Sequence, residues 1–221
     1  MKRIKTAVFC DFDGTISRRD VGYNLFHHFS GGKNDELLPA WIEGTLSTRD
    51  CLRQEAAMVQ ASPETILEFL DQFEIDETFV AFEARCREAG VPVVVMSEGL
   101  DFYIKRILSR YGLGHLPLMC NSGFLEKGTI RVEFPYENST CRTCGNCKGE
   151  RMAEYRQNQP GCRTMFVGDG YSDACAAREA DLLFAKKDLC DYCEKHNIEY
   201  TAYNTFKDIA SVLCELGVLR D

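Results

Sequence analysis

Three short apolar runs constrain this chain more than anything else in it: Ala7-Val8-Phe9-Cys10, Val91-Pro92-Val93-Val94-Val95-Met96 and Thr164-Met165-Phe166-Val167. Each is too short for a helix and rich in β-branched, aromatic or small residues, so each predicts a buried strand. Each also runs into a polar turn that carries glycine: Asp11-Phe12-Asp13-Gly14-Thr15, Ser97-Glu98-Gly99 and Gly168-Asp169-Gly170. Helical patterns separate the runs, which predicts an α/β chain with a mainly parallel sheet flanked by helices. In open sheets of this kind, chemistry gathers just beyond the carboxyl ends of the strands. The polar turns would therefore share one rim.

At the first turn two carboxylates stand one residue apart, with Phe12 between them directed to the core. Neighbouring carboxylates repel, so a site that keeps both needs a cation or a shared proton. A hard, oxygen-seeking ion such as Mg²⁺ answers that need and commonly accompanies phosphate chemistry. A bare Asp-x-Asp would read as a solvated acidic turn; the buried strand ahead of it argues otherwise.

Between about Asp20 and Glu88 there is no convincing strand. Val21, Leu25, Phe26 and Phe29 lie at helical spacing and Ser30-Gly31-Gly32 stops them. Ser47 or Thr48 can cap a further helix, and Ser62-Pro63-Glu64 opens another with proline in its first turn. Residues 16–88 are thus expected to form a small helical cap inserted after the first strand, with 1–15 and 89–221 as the catalytic core. Within the core, Leu116–Cys120 reads as a strand and 124–134 as a hairpin turning at Glu126-Lys127-Gly128. Residues 115–147 take in this hairpin and a cysteine-rich loop.

The 221 residues are 45% hydrophobic, enough for one substantial core without staples. A formal charge of −8 argues against nucleic acid and against an anionic membrane surface. It leaves room for a small phosphorylated metabolite, because a bound metal reverses the local sign. No apolar run approaches a membrane span, and the basic start is followed by an apolar run that Asp11 cuts short, so no secretion signal is expected. Twelve cysteines without such a signal point to a reducing, cytoplasmic setting.

Four elements in order, Asp-x-Asp-Gly-Thr, a strand-terminal Ser97, Lys148 at a helix start and Gly-Asp-x-x-x-Asp ending in Asp173, resemble the haloacid dehalogenase superfamily of phosphatases over nearly the whole chain. The resemblance implies a Rossmann-like core, a helical cap of the kind inserted after the first motif, and Mg²⁺. It implies Asp11 as nucleophile, Asp13 as general acid and base, and Lys148 as the group that neutralises charge on the transferring phosphoryl. Ser97, with the backbone N–H groups of Glu98 and Gly99, would cradle phosphoryl oxygens, and Asp11, Asp13 through its carbonyl, and Asp169 would hold the metal. Asp173 would orient Lys148 or a metal-bound water.

The insertion after the first motif is similar to that of phosphoserine-phosphatase-like members. Leu100-Asp101-Phe102, Cys120-Asn121 and the cysteines leading into Lys148 look most like the methionine-salvage phosphatases acting on 2-hydroxy-3-keto-5-methylthiopentenyl-1-phosphate. Phosphoserine is the alternative substrate: Asp20 would hold its amine, and Arg49 or Arg53 its carboxylate. Glu98 departs from the Ser-Gly-Gly of many relatives and brings negative charge near the phosphate.

Cys141, Cys144 and Cys147 recur every third residue, a spacing that can bring thiolates to one structural Zn²⁺, with Cys120 as a candidate fourth ligand. Cys10, Cys51, Cys86, Cys162, Cys175 and Cys214 read as core, Cys190 and Cys193 as a helical C-x₂-C with no second pair, and Lys186 and Lys187 as solvated surface. A cysteine-loop metal or redox sensor with a vestigial acidic site is the reading from another class. The chain is expected to be a monomer or homodimer.

Overall fold

The computed structural model describes residues 5–126, 128–137 and 140–220. Residues 1–4 of the basic start and Lys127 of the expected turn lie outside the described residues. In chain order the elements are β1 (Thr6–Cys10), α1 (Val21–Ser30), α2 (Leu38–Ile42), α3 (Thr48–Met58), α4 (Pro63–Leu70), α5 (Glu77–Glu88), β2 (Val93–Leu100), α6 (Asp101–Arg110), β3 (Leu118–Glu126), β4 (Thr129–Glu133), α7 (Lys148–Asn158), β5 (Arg163–Gly168), α8 (Ala174–Glu179), β6 (Leu182–Ala185), α9 (Asp188–His196), β7 (Thr201–Ala202) and α10 (Phe206–Glu215).

The strands form one seven-stranded sheet in the order β4-β3-β2-β1-β5-β6-β7. β4 pairs antiparallel with β3 at one edge and the other pairings are parallel. β1 lies at the centre, and its five residues are all buried because helices cover both faces. Val8 and Cys10 face a core shared with α1, α5, α6 and α10, while Ala7 and Phe9 face Met152 of α7, Ala176 of α8 and Leu189 of α9. This two-sided burial is why the strands read as unbroken apolar runs rather than alternating ones.

Helix starts follow from local chemistry. Asp20, Ser47, Ser62 and Asp76 accept from the backbone N–H groups of Tyr23, Asp50, Thr65 and Thr78, which caps α1, α3, α4 and α5. Each such cap contributes about 1 kcal/mol. Gly31, in the left-handed region at φ 67°, closes α1.

Two expectations change. α5 does not stand with the cap: Phe79 and Phe82 pack on Phe206 of α10, on the flank of the sheet. The chain leaves and re-enters the sheet side by side, through an isolated bridge between Ser17 and Ile75 and the bonds Arg18 N–H to Glu74 O and Asp76 N–H to Ile16 O. The helices lying between these crossings are α1–α4, so the boundary falls near 75 rather than 88.

The second change is in the hairpin. β3 runs unbroken through Asn121-Ser122-Gly123, a polar stretch that reads as an interruption. The reason is satisfaction within the fold: Asn121 donates to the Glu98 carbonyl at 2.6 Å and the Gly123 N–H donates to Asp101 Oδ1 at 3.0 Å. Among the described residues no helix is long and apolar enough to cross a membrane.

Candidate active site

The turn after β1 places Asp11 and Asp13 beside the ends of β2 and β5. The Asp11 N–H donates to the Val167 carbonyl at 2.9 Å, which carries the residue one step past the strand and keeps it buried. Phe12 enters the core as expected, fully buried. Gly14 then takes φ 76° with Asp169 so near that a Cβ there would stand 2.3 Å from its Oδ2. Only glycine fits both the backbone and the space.

Carboxylate oxygens of Asp11, Asp169 and Asp173 lie within 4.8 Å of one another. Lys148 opens α7 and is wholly buried, with Nζ donating to Asp11 Oδ1 and to Asp173 Oδ1, each at 2.5 Å. Burial by itself lowers the lysine's pKa, but the two carboxylates outweigh it and hold the ammonium charged. Asp173 is fixed in turn by the N–H groups of Asp169 (3.0 Å) and Gly170 (3.2 Å) on its other oxygen. Asp11 is pushed well above the usual carboxylate range, first by burial and then by Asp173, with Lys148 opposing.

Asp13 sits in a different setting. Its Oδ1 accepts from the N–H groups of Val21 (2.9 Å) and Gly22 (3.2 Å), at the start of α1. Its Oδ2 accepts from Ser97 Oγ at 3.2 Å and from the Tyr103 hydroxyl at 2.8 Å. Burial raises its pKa and these four donors, Tyr103 foremost, restrain the rise.

Ser97-Glu98-Gly99 lies in the extended end of β2, and α6 begins only at Asp101, so these residues do not open the helix. Ser97 Oγ accepts from the Gly99 N–H at 2.8 Å. The charge of Glu98 is directed away from the first turn: its carboxylate accepts from the N–H groups of Gly145 (2.9 Å) and Asn146 (3.1 Å) in the cysteine loop. The buried Asn146 amide donates to the carbonyls of Ser97 and Met119, tying that loop to β2 and β3.

A cavity of about 380 Å³ opens over these groups, beneath the helical insertion. The insertion contributes Asp20, Tyr23, Phe26, Leu38, Trp41, Leu52 and Glu55 to its lining. Asp20 and Glu55 are each pushed up to about 7, Asp20 by desolvation in the cleft and by Asp13, Glu55 by burial. A larger, shallow groove of about 900 Å³ between α4 and α6 includes none of the site's carboxylates, nor Ser97 or Lys148.

Arg49 and Arg53 are not in the cavity lining. Arg49 pairs with Glu137 and donates to the Arg142 carbonyl, while Arg53 pairs with Asp50 and lies over the Phe134 ring. Both are drawn to the β4 edge and the loop after it, where carboxylate and ring partners await them. Among the described residues no arginine lines the cavity.

Two polar groups at the site escape the sequence reading. Lys187 is exposed as expected but not unpartnered: its ammonium donates to Asp169 Oδ2 at 2.8 Å and to the Gly14 carbonyl at 3.1 Å. Its backbone adopts φ 50°, uncommon for a side-chain-bearing residue and a signal that only coordinates reveal. Tyr103 hides within an apolar helix stripe, although a buried tyrosine needs a partner for its hydroxyl.

The cysteine cluster is also redrawn. Cys120 faces the core under α6, near Asp101 and Lys105, whereas its neighbour Met119 faces the opposite side of the sheet. Strand alternation therefore takes Cys120 away from the loop. Cys175 of α8, expected in the core, stands instead beside Cys141, Cys144 and Cys147.

A mainly parallel sheet with carboxylates and a buried lysine gathered at its carboxyl rim, under a helical insertion, defines a Rossmann-like α/β protein with an acidic, lysine-paired site. The chain belongs to the haloacid dehalogenase-like hydrolases, whose family profile matches residues 8–178. It is 28% identical over 223 residues to a 2-hydroxy-3-keto-5-methylthiopentenyl-1-phosphate phosphatase of Lysinibacillus sphaericus, covering 96% of each chain. A protein of the same name from Bacillus pumilus is also 28% identical, with 98% of this chain and 94% of that one covered. Among solved structures, a substrate-bound phosphoserine phosphatase superposes with a TM-score of 0.72 at 20% identity, covering 96% of this chain and 99% of its own.

Proposed function

We propose that this chain is a Mg²⁺-dependent phosphomonoesterase that works through a phospho-aspartate on Asp11. The observation that carries the reading is Lys148 bridging Asp11 and Asp173, beside Asp169 and next to an Asp13 held by its own set of hydrogen-bond donors. The residues suit a divalent cation. Asp11, Asp13, Asp20 and Asp169 line the cavity and Asp173 stands within ligand distance of Asp11 and Asp169, with Lys148 and Lys187 as counter-charges, so the surplus is negative and made of hard oxygen donors. Asp11, the Asp13 carbonyl and Asp169 would hold the ion, which when bound offsets charge on the phosphoryl oxygens.

The chain's own groups divide the reaction. A carboxylate oxygen of Asp11 attacks phosphorus while the bond from phosphorus to the ester oxygen breaks, and the proton on Asp13 passes to the leaving alkoxide. Asp13, now a carboxylate, takes a proton from water as that water attacks phosphorus, which frees Asp11 and inorganic phosphate. Ser97 and the nearby N–H groups bind phosphoryl oxygens, and Lys148 orients Asp11 and favours its ionised form against the opposing effect of burial. α1–α4 serve as the cap over the leaving group.

The substrate favoured is 2-hydroxy-3-keto-5-methylthiopentenyl-1-phosphate. The insertion's apolar lining of Phe26, Leu38, Trp41 and Leu52 suits a methylthio end, and the names of the two relatives point the same way. Phosphoserine fits less well, since no arginine among the described residues lines the cavity to meet its carboxylate and Asp20 and Glu55 would repel it. Phosphate release from both compounds, compared as kcat/KM with Mg²⁺ present, tests the choice. The thioether substrate should lead by about 10²-fold or more; a lead for phosphoserine would overturn it.

Tyr103→Phe should shift the pH profile in a stated direction. The hydroxyl stabilises ionised Asp13, so its loss raises the Asp13 pKa further. Because Asp13 must be protonated for the first step, the alkaline limb of kcat/KM should move to higher pH. A limb that stays put, or moves down, would remove Asp13 from the acid role.

A further inference from the structure

We propose that Cys141, Cys144, Cys147 and Cys175 hold a tetrahedral thiophilic divalent ion, Zn²⁺, which clamps the loop ahead of Lys148 to the helix behind Asp173. The four sulfur atoms lie within 4.8 Å of one another. A ZnS₄ tetrahedron with bonds of about 2.3 Å has sulfur–sulfur edges of about 3.8 Å, so only a small contraction is needed. Three ligands come from one loop at intervals of three and the fourth from a separate helix.

The surroundings are built to hold that meeting. Gly149, in the first turn of α7, lets the helix approach α8 so closely that a Cβ would stand 2.6 Å from the Cys175 carbonyl oxygen. Glu98 binds the N–H groups of Gly145 and Asn146, between the second and third cysteines, and Asn146 anchors to β2 and β3. On the outer side the Thr48 N–H of α3 donates to the Thr143 carbonyl at 2.9 Å, and Arg49 reaches the Arg142 carbonyl. Cys144 and Cys147 are buried, while Cys141 and Cys175 are half-buried, which leaves an entry path for the ion.

Two of the site's charged groups flank this cluster in sequence: Lys148 follows Cys147 directly, and Asp173 precedes Cys175 by two residues. The same two residues meet at 2.5 Å. An ion on the four sulfurs would fix that spacing from outside the pocket. Ligand chemistry keeps it apart from the carboxylate site, because thiolates select zinc and carboxylates select Mg²⁺. Binding releases whatever protons the sulfurs carry as the thiolate complex forms. The inference rests on the cysteines alone and stands or falls apart from the phosphatase reading.

The test uses the full chain, expressed with zinc in the medium and purified without chelator, as wild type, Cys175→Ser, Cys120→Ser and Asp11→Asn. Wild type, Cys120→Ser and Asp11→Asn should each carry one zinc per chain, and Cys175→Ser much less. Co²⁺ added to reduced, metal-free wild type should give sulfur-to-cobalt charge-transfer absorption and the intense visible bands of a tetrahedral thiolate site. Should Cys175→Ser fail to fold, the Co²⁺ spectrum of wild type and the zinc content of Cys120→Ser still decide. Undiminished zinc in Cys175→Ser, an ordinary octahedral cobalt spectrum, iron with acid-labile sulfide, or disulfides among these four cysteines would each overturn the assignment.

Discussion

Asp11→Asn should reduce turnover by on the order of 10⁴-fold or more, the scale lost when a nucleophile is removed from a group that acts as a unit. The amide is close in shape, keeps a hydrogen-bond acceptor for Lys148 and removes the attacking charge. The Lys148–Asp173 pair remains in the variant, so the fold should persist and substrate should still bind. Steady-state phosphate release, together with substrate affinity by calorimetry, separates the effects: lost kcat with retained affinity is expected. A variant with wild-type kcat would show that another group attacks phosphorus.

Lys148→Met carries the second large effect and acts on stability as well as rate. Nζ is wholly buried between two carboxylates that are themselves at most 4% exposed. Removing one partner of such a group leaves uncompensated buried charge, which costs about 3–5 kcal/mol. The pH dependence has a definite sign. Without the ammonium, Asp11 and Asp173 are pushed still higher in the folded state than in the unfolded one, so the folded state binds more protons. Stability then falls as pH rises through the folded pKa values, and the deficit relative to wild type should widen from pH 5 to pH 8. Thermal melts across that range, without added Mg²⁺, should show the widening; a constant gap would contradict the burial of both carboxylates against this lysine. Turnover should fall by on the order of 10²–10³-fold, as it does when a preorganised charge is removed from a transferring group.

Much of this was legible in the residues because the chemistry sits on the strands themselves. β-Branched runs ending in Asp11-x-Asp13, Ser97 and Asp169 gave away the parallel sheet and the rim, since an all-buried strand has few other sequence forms. Lys148 and Asp173 could be ordered along the chain. Their contact, spanning β5, needed coordinates. What escaped was long-range and one-sided. Tyr103 sits among the apolar residues of α6, and nothing local says its hydroxyl turns to Asp13. Lys187 reads as surface because its partners, Gly14 and Asp169, lie far off in sequence. Cys175 looks like a small core residue within an alanine-rich helix, whereas Cys120 has the more suggestive neighbours. α5 carries a helical pattern no different from the cap helices, and only its stacking on Phe206 assigns it to the sheet. Arg49 and Arg53 show the opposite failure: residue type and neighbourhood suited a substrate carboxylate, and the β4 edge claimed them instead.

Asp11 as the seat of the phosphoryl group is the claim on which the other roles depend, and acid quench during turnover addresses it directly. Wild-type protein mixed with excess substrate and Mg²⁺, stopped in acid within the first turnover and digested, should yield the peptide bearing Asp11 heavier by one phosphoryl group. That added mass should disappear when the quenched protein is treated with neutral hydroxylamine, which cleaves acyl phosphates. Phosphate released in step with substrate loss while every peptide keeps its unmodified mass, or a phosphoryl group found on a residue other than Asp11, would contradict the account.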